Sequence, residues 1–287
     1  MLSGLSGLAF LVGIAFAGGQ AFAQGGLGNI TVTPTRIVLE GRARSGTIAL
    51  ANTGAKKATY RLTVINMRMN ETGGFEQIEE GQARPGEQFA EGLIRYAPRQ
   101  VTLEPGETQI IRIAARKPAG LAAGEYRSHL VIRAVPEAGA GRSIEQKSGE
   151  GVEISLAVIP GVALPIILRH GDVSAKASLS DITYDPPPMT SGRAGASLTF
   201  RLNRAGGSSI YGDLGATYFA PESDEGVLVS EVNQLAVYTP NDHRIVTMSL
   251  TFPEGLEPQS GGKFVVIYRT PPKDGGNTIA EGEYRIQ

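Results

Sequence analysis

The chain reads as all-β, built as two sandwich domains in tandem, and three observations predict this. Its apolar residues are mainly Val, Ile, Leu and Ala, and they fall in short runs that alternate with polar residues. The runs are divided by glycine and proline, 38 and 17 of them in 287 residues, enough to punctuate the chain every few positions. No stretch holds the 3.6-residue apolar period that an amphipathic helix requires.

The elements follow in order. The first strand is expected at 30–39, with Pro34 marking an edge or a crossing between sheets, because proline offers no amide hydrogen to a ladder. The second covers 46–52 and stops at the turn signal Asn52-Thr53-Gly54. The third, 59–67, alternates cleanly. Residues 77–92 are polar and read as loop. Residues 94–103 form a weaker strand broken by Pro98. Glu104-Pro105-Gly106-Glu107 is a turn, with Pro and Gly where a turn needs them. Strands at 108–115 and 124–133 follow.

The seventh strand is expected at 151–159, where Val152, Ile154, Leu156 and Val158 share one face and Glu153, Ser155 and Ala157 the other. It leaves a loop, 137–150, with five glycines or serines and no apolar cluster. Such a strand is either covered core or an edge open to another chain. Seven short strands with a turn every 8 to 12 residues match the pattern of an immunoglobulin-like sandwich. Pro160-Gly161 and Pro165 interrupt the chain before 166–169, and His170-Gly171-Asp172 reads as a hinge. Beyond it, strands at 198–203, 209–211, 215–219, 234–238, 245–252 and 263–269 make a second sandwich. The division is therefore 1–23 signal peptide, 24–169 first domain, 170–287 second domain.

The amino terminus bears on compartment. Residues 5–23 are apolar and small, carry no charge, and end Ala21-Phe22-Ala23 before Gln24, an A-x-A-like cleavage site. A transmembrane anchor is the alternative, but the Gly18-Gly19 break and the A-x-A ending favour cleavage and export. No later segment is apolar enough to span a bilayer, so stable membrane insertion is not expected. Net charge is −1 with the two signs interspersed, which argues against nucleic acid as a partner. With no Cys, neither disulfides nor thiolate metal sites are possible.

No catalytic motif emerges. His129, His170 and His243 lack partners at metal-ligand spacing, so no metal or other cofactor is expected. A satisfied structural or surface role suits His129, and a solvated one suits the other two. Gly206-Gly207-Ser208-Ser209 is not a nucleophile elbow, and Ser260-Gly261-Gly262-Lys263 is not a phosphate loop. What remains is charge within strands: Arg36, beside Val32, Ile37 and Leu39, and Arg127. Each is either an exposed strand arginine or a fixed guanidinium able to hold a carboxylate through two parallel hydrogen bonds.

Three segments together carry a resemblance: the opening strand with Thr35-Arg36, the run 97–106 leading into 110–113, and Gly124-Glu125-Tyr126-Arg127-Ser128-His129. Through them the chain resembles the periplasmic chaperones of chaperone–usher pilus assembly, well over 29–169 and more weakly beyond. The resemblance implies two immunoglobulin-like domains set like a boomerang. It also implies a last strand of the first domain lent to a pilin-like secreted subunit that lacks its own, the donor-strand form of β-augmentation. Val152, Ile154, Leu156 and Val158 would then be the donor residues, released by the 137–150 loop. An outer-membrane usher would receive the subunit. The family holds the subunit's carboxylate with an Arg from the first strand and a Lys from the last. Arg36 matches the first. No Lys lies in 158–168, and Pro165 falls about where it is expected, so Arg127 or Arg169 must supply the second cation or the clamp is altered.

Two other classes fit the sequence less well. A secreted structural or adhesive subunit of a surface polymer fits poorly with a complete strand count and only six residues, 24–29, between the cleavage site and the first strand. A carbohydrate-binding sandwich fits poorly with the absence of Trp.

Overall fold

The computed structural model describes residues 30–136, 161–187 and 195–287. The expected signal peptide, the 137–150 loop and the 151–159 strand with Val152, Ile154, Leu156 and Val158 lie outside the described residues. What is described is all-β, two sandwiches in tandem.

The first sandwich joins two sheets. One runs β1 (Ile30–Thr33), β3 (Ser45–Asn52), β9 (Thr108–Ala115), β7 (Ile94–Ala97); the other runs β2 (Ile37–Leu39), β11 (Gly161–His170), β10 (Gly124–Val135), β4 (Ala58–Ile65), β8 (Gln100–Leu103). The proline breaks expected at 34 and 98 are crossings between sheets. Pro34 separates β1 from β2, and Pro98 separates β7 from β8. The core forms where the alternating faces meet: Ile48, Leu50, Ile111 and Ile113 from one sheet, and Tyr60, Leu62, Leu130, Ile132, Leu164, Ile166 and Leu168 from the other. Asn52 is fully buried yet satisfied. Its amide donates to the carbonyls of Lys56 (2.8 Å) and Leu103 (3.1 Å), and its oxygen accepts from Gly54 N (3.0 Å) and the Tyr60 hydroxyl (3.3 Å). The 104–107 turn forms as expected, with Gly106 at φ +78°, a region side chains other than glycine's rarely enter.

Two placements in this sandwich differ from the expectation. Pro165 does not interrupt a strand; it lies inside β11, which runs antiparallel to β10 from Gly161↔Arg133 to His170↔Gly124. Arg36 lies between β1 and β2, not within one long strand.

The second sandwich packs β12 (Ala175–Asp185), β13 (Ser197–Gly206) and β16 (His243–Ser249) on β15 (Gly226–Val237), β14 (Ile210–Phe219), β17 (Lys263–Arg269) and β18 (Thr278–Arg285). Leu198, Phe200, Leu202, Leu214, Tyr218, Phe264, Val266 and Tyr268 fill its core. β12 and β18 were not expected. In β12 a bulge between Ser180 and Thr183, with Asp181 at φ +55°, moves the core-facing set from Ala175, Ala177 and Leu179 to Ile182 and Tyr184. The alternation therefore changes phase midway and cancels as a periodic signal. In β18, Gly282 reads as a break. It is there because Ile182 crosses closely, 2.6 Å from where a Cβ would sit. The expected 209–211 and 215–219 strands are one strand, β14, and β15 starts well before 234.

A short hairpin, β5 (Met67–Met69) with β6 (Phe75–Gln77), stands outside both sandwiches, between the expected third strand and the expected 77–92 loop. None of the described helices is long and apolar enough to cross a membrane.

Candidate functional site

The period-two geometry of β10 builds the site. Tyr126, Leu130 and Ile132 face the core, which turns Glu125, Arg127 and His129 to the opposite face. The register sets Arg169 of β11 beside Glu125 and Ile167 beside Arg127. Arg36 and Glu40 flank β2, which pairs with β11 through Ile166–Leu168. The second sandwich closes over this face with Ser209, Tyr211 and Tyr238.

Glu125 is the centre of the polar network. It is 2 % exposed, and its Oε2 accepts from Arg169 Nε (2.9 Å), Ser209 N (3.0 Å) and Ser209 Oγ (2.9 Å), so one carboxylate oxygen ties the two domains. Arg169 reaches on to Glu40 (3.0 Å) and to the Ser209 carbonyl (3.2 Å). Burial lowers the Arg169 pKa, but the hydrogen bond and charge of Glu125, aided by Glu40, outweigh it and leave it raised.

The two candidate anchors come into this one interface but differ in access. Arg36 donates to Ser209 Oγ (3.3 Å) and lies over the Tyr211 ring at 4.3 Å, on the wall of an interdomain cleft of about 510 Å³ shared with Val38, Glu40, Arg169 and Pro271. Arg127 is 6 % exposed, with its guanidinium 4.4 Å from the centre of Tyr238 and 6.0 Å from that of Phe75. Burial depresses both guanidinium pKa values, against the opposing influence of Tyr238 and Glu125. The Nε of each arginine and Oε1 of Glu125 are buried without a hydrogen-bond partner. No lysine lies in β11, and Lys117 approaches its end from outside, donating to the Arg169 carbonyl at 2.8 Å.

His129 departs from the satisfied role expected of it. It is 3 % exposed, its Nε2 faces Arg127 Nη1 at 3.5 Å, and its Nδ1 has no partner. Since the guanidinium can only donate, Nε2 is the acceptor and the ring proton belongs on Nδ1. Burial, then the Arg127 charge, hold the ring neutral with its pKa pushed down to about 3. His243 is not in a solvated turn either; it opens β16 with its side chain 13 % exposed beside Asp242. Among the described residues, no group of three or more His, Asp or Glu could hold a metal ion.

Glu125, Ser209, Tyr211, Tyr238 and Phe75 were missed in the sequence. A signal existed for the first: Glu125, Arg127 and His129 at i, i+2 and i+4 place three ionisable groups on one strand face, which a solvent-facing strand does not need and a covered one must explain. The second-domain residues carry no such signal.

Fold and site together define a two-sandwich, immunoglobulin-like protein with a charged interdomain cleft. No protein-family model matches the chain, and no curated protein matches it in sequence. Among solved structures it is similar to the CupB2 chaperone of Pseudomonas aeruginosa, at 12% identity over 90% of this chain and 100% of that one, with a TM-score of 0.42. It is also similar to the E. coli chaperone DraB, at 14% identity over 91% and 97% of the two chains and a TM-score of 0.40. A third match is a structure of the Salmonella enterica SafA pilin in complex with the SafB chaperone, at 13% identity over 91% and 97% and a TM-score of 0.39. Likeness at this level transfers neither function nor partner.

Proposed function

We propose that this chain is a periplasmic chaperone that captures exported, strand-deficient subunits by donor-strand complementation and delivers them to an outer-membrane usher. The observation that carries the reading is the edge of β11. On one side β11 pairs with β10 along its whole length; on the other it pairs with β2 only through Ile166, Ile167 and Leu168. From Gly161 to Pro165 the outward edge has no partner among the described residues, and Val162 lies exposed beside it. Pro165, with no amide hydrogen, stands where the β2 pairing ends. This open edge leads straight back to the alternating residues 151–159.

An extended subunit segment adding there gains main-chain hydrogen bonds, while Val152, Ile154, Leu156 and Val158 fill the groove its missing strand leaves. Each aliphatic side chain buried this way contributes roughly 1.5–3 kcal/mol before ordering costs. Arg36 and Arg127 are the proposed carboxylate anchors, and their unpaired Nε groups support that role. The polymer-subunit alternative is disfavoured, because the first sandwich already holds a closing strand, β11.

Leu156→Asp tests the reading. Co-expressed with a subunit from the same operon, the parent is expected to co-purify with it one to one, and the folded variant to emerge alone. Equal capture by the variant refutes strand donation.

A further inference from the structure

The hairpin β5–β6 forms a two-stranded sheet of its own, outside both sandwiches. Its strands pair only with each other, through Met67↔Gln77, Arg68↔Glu76 and Met69↔Phe75. A two-stranded ribbon of this size is not stable alone, so its position depends on what holds it. At the base it is fixed to the first domain by Arg68, which pairs with Glu87; within the ribbon Arg68 also pairs with Glu76 (2.8 Å), and Ile78 N donates to the Asn66 carbonyl (2.9 Å). At the tip it is clasped to the second domain, where the Arg244 guanidinium packs against Gly73 and His243 Nε2 lies 3.9 Å from Glu71. Ile245 N donates to the Glu71 carbonyl (2.7 Å), Asn241 Nδ2 donates to the Met69 carbonyl (2.9 Å), and the Met69 side chain packs with Ile167, Ala236 and Tyr238.

Between base and tip lies Phe75. Its ring meets His129 edge-on at 5.1 Å and Tyr238 at 6.0 Å, and lies 6.0 Å from the Arg127 guanidinium, so that with Tyr238 it covers one flank of that group. Phe75 is itself 43 % exposed, so this cover is one ring thick. Beneath it is a guanidinium whose Nε has no partner and whose one side-chain hydrogen bond, to His129, is long. A buried unpaired donor is costly, and a carboxylate oxygen is the group that would relieve it.

We propose that the β5–β6 hairpin is a hinged cover that withholds Arg127 from an incoming carboxylate until its clasp on the second domain releases. Arg36, on the open cleft wall, meets the carboxylate first, and Arg127 joins once the hairpin lifts. The inference rests on the anchoring role proposed for these two arginines and concerns the control of that same site.

The test is arginine labelling with phenylglyoxal, read residue by residue by mass spectrometry, with Arg84 (67% exposed side chain) as internal standard. In the parent, Arg127 should react far more slowly than Arg84. Asn241→Ala removes one clasp hydrogen bond and should speed Arg127 labelling about fivefold; Phe75→Ala should speed it as well. Amide exchange is followed in parallel. Lifting the hairpin accelerates Ile245, whose amide the clasp holds, and leaves Ile78 at the hinge, β4 and β10 slow. Arg127 reacting as fast as Arg84 in the parent, or at an unchanged rate in both variants, overturns the cover. So does labelling that rises only together with exchange throughout β4 and β10. No subunit enters this assay, so a chain that captured none would remove the anchoring role and leave the cover standing.

Discussion

Acidification should weaken this protein through His129, by an amount the site allows one to work out. The ring is neutral when folded, with its pKa near 3, because it is buried and faces the Arg127 guanidinium. Unfolded, it returns to 6.5. Above 6.5 both states are neutral and nothing is lost. Below it the unfolded chain binds a proton that the folded site refuses, so stability falls with pH until the folded ring also protonates, near 3. Each pH unit in that window costs about 1.4 kcal/mol. From pH 7 to pH 5 the loss is therefore about 2 kcal/mol, set by the unfolded value alone because the folded ring is still neutral at pH 5. The perturbation is His129→Gln, which cannot titrate. Urea unfolding by tyrosine fluorescence, clean because the chain has no Trp, is measured for both proteins at pH 7 and pH 5. His170 and His243 are common to both and cancel in the difference. The parent should lose about 2 kcal/mol more than the variant between the two pH values. Equal losses would refute the buried neutral imidazole, as would an NMR titration showing the His129 ring charged at pH 5.

Other substitutions divide the interface into its parts. Arg36→Ala should weaken subunit capture roughly ten- to a hundredfold in a binding titration, the worth of one charge-assisted hydrogen bond to a carboxylate; unchanged affinity removes Arg36 from the anchor. Arg169→Ala leaves the buried Glu125 carboxylate without its countercharge and should cost about 3–5 kcal/mol in urea unfolding, and Arg169→Lys less. A loss under 1 kcal/mol would show that the Ser209 donors suffice for Glu125.

Much of the fold was legible because period-two alternation survives wherever a strand keeps one face buried throughout, as in β3, β4 and β9. It failed where geometry breaks the period. The bulge in β12 shifts the alternation from odd to even positions, and Gly282 in β18 looks like punctuation but is a close crossing. The continuous strand β11 was not legible because Pro165 reads as a break, whereas proline is tolerated where a strand's neighbour runs out. Of the site, Arg36 and Arg127 could be picked out as charges within strands. That they lie under Tyr211 and Tyr238 could not, since those partners sit more than 100 residues away in another domain with no local mark of the contact.

Amide hydrogen exchange along residues 152–164, compared between the free protein and its complex with a co-purified subunit, tests strand donation most directly. Main-chain hydrogen bonds to the newcomer should slow exchange at every second amide of 152–158 and at Ala163, which shares the outward parity of Pro165, leaving β1 and β7 as in the free protein. Exchange in 152–164 that is the same with and without the bound subunit would contradict it.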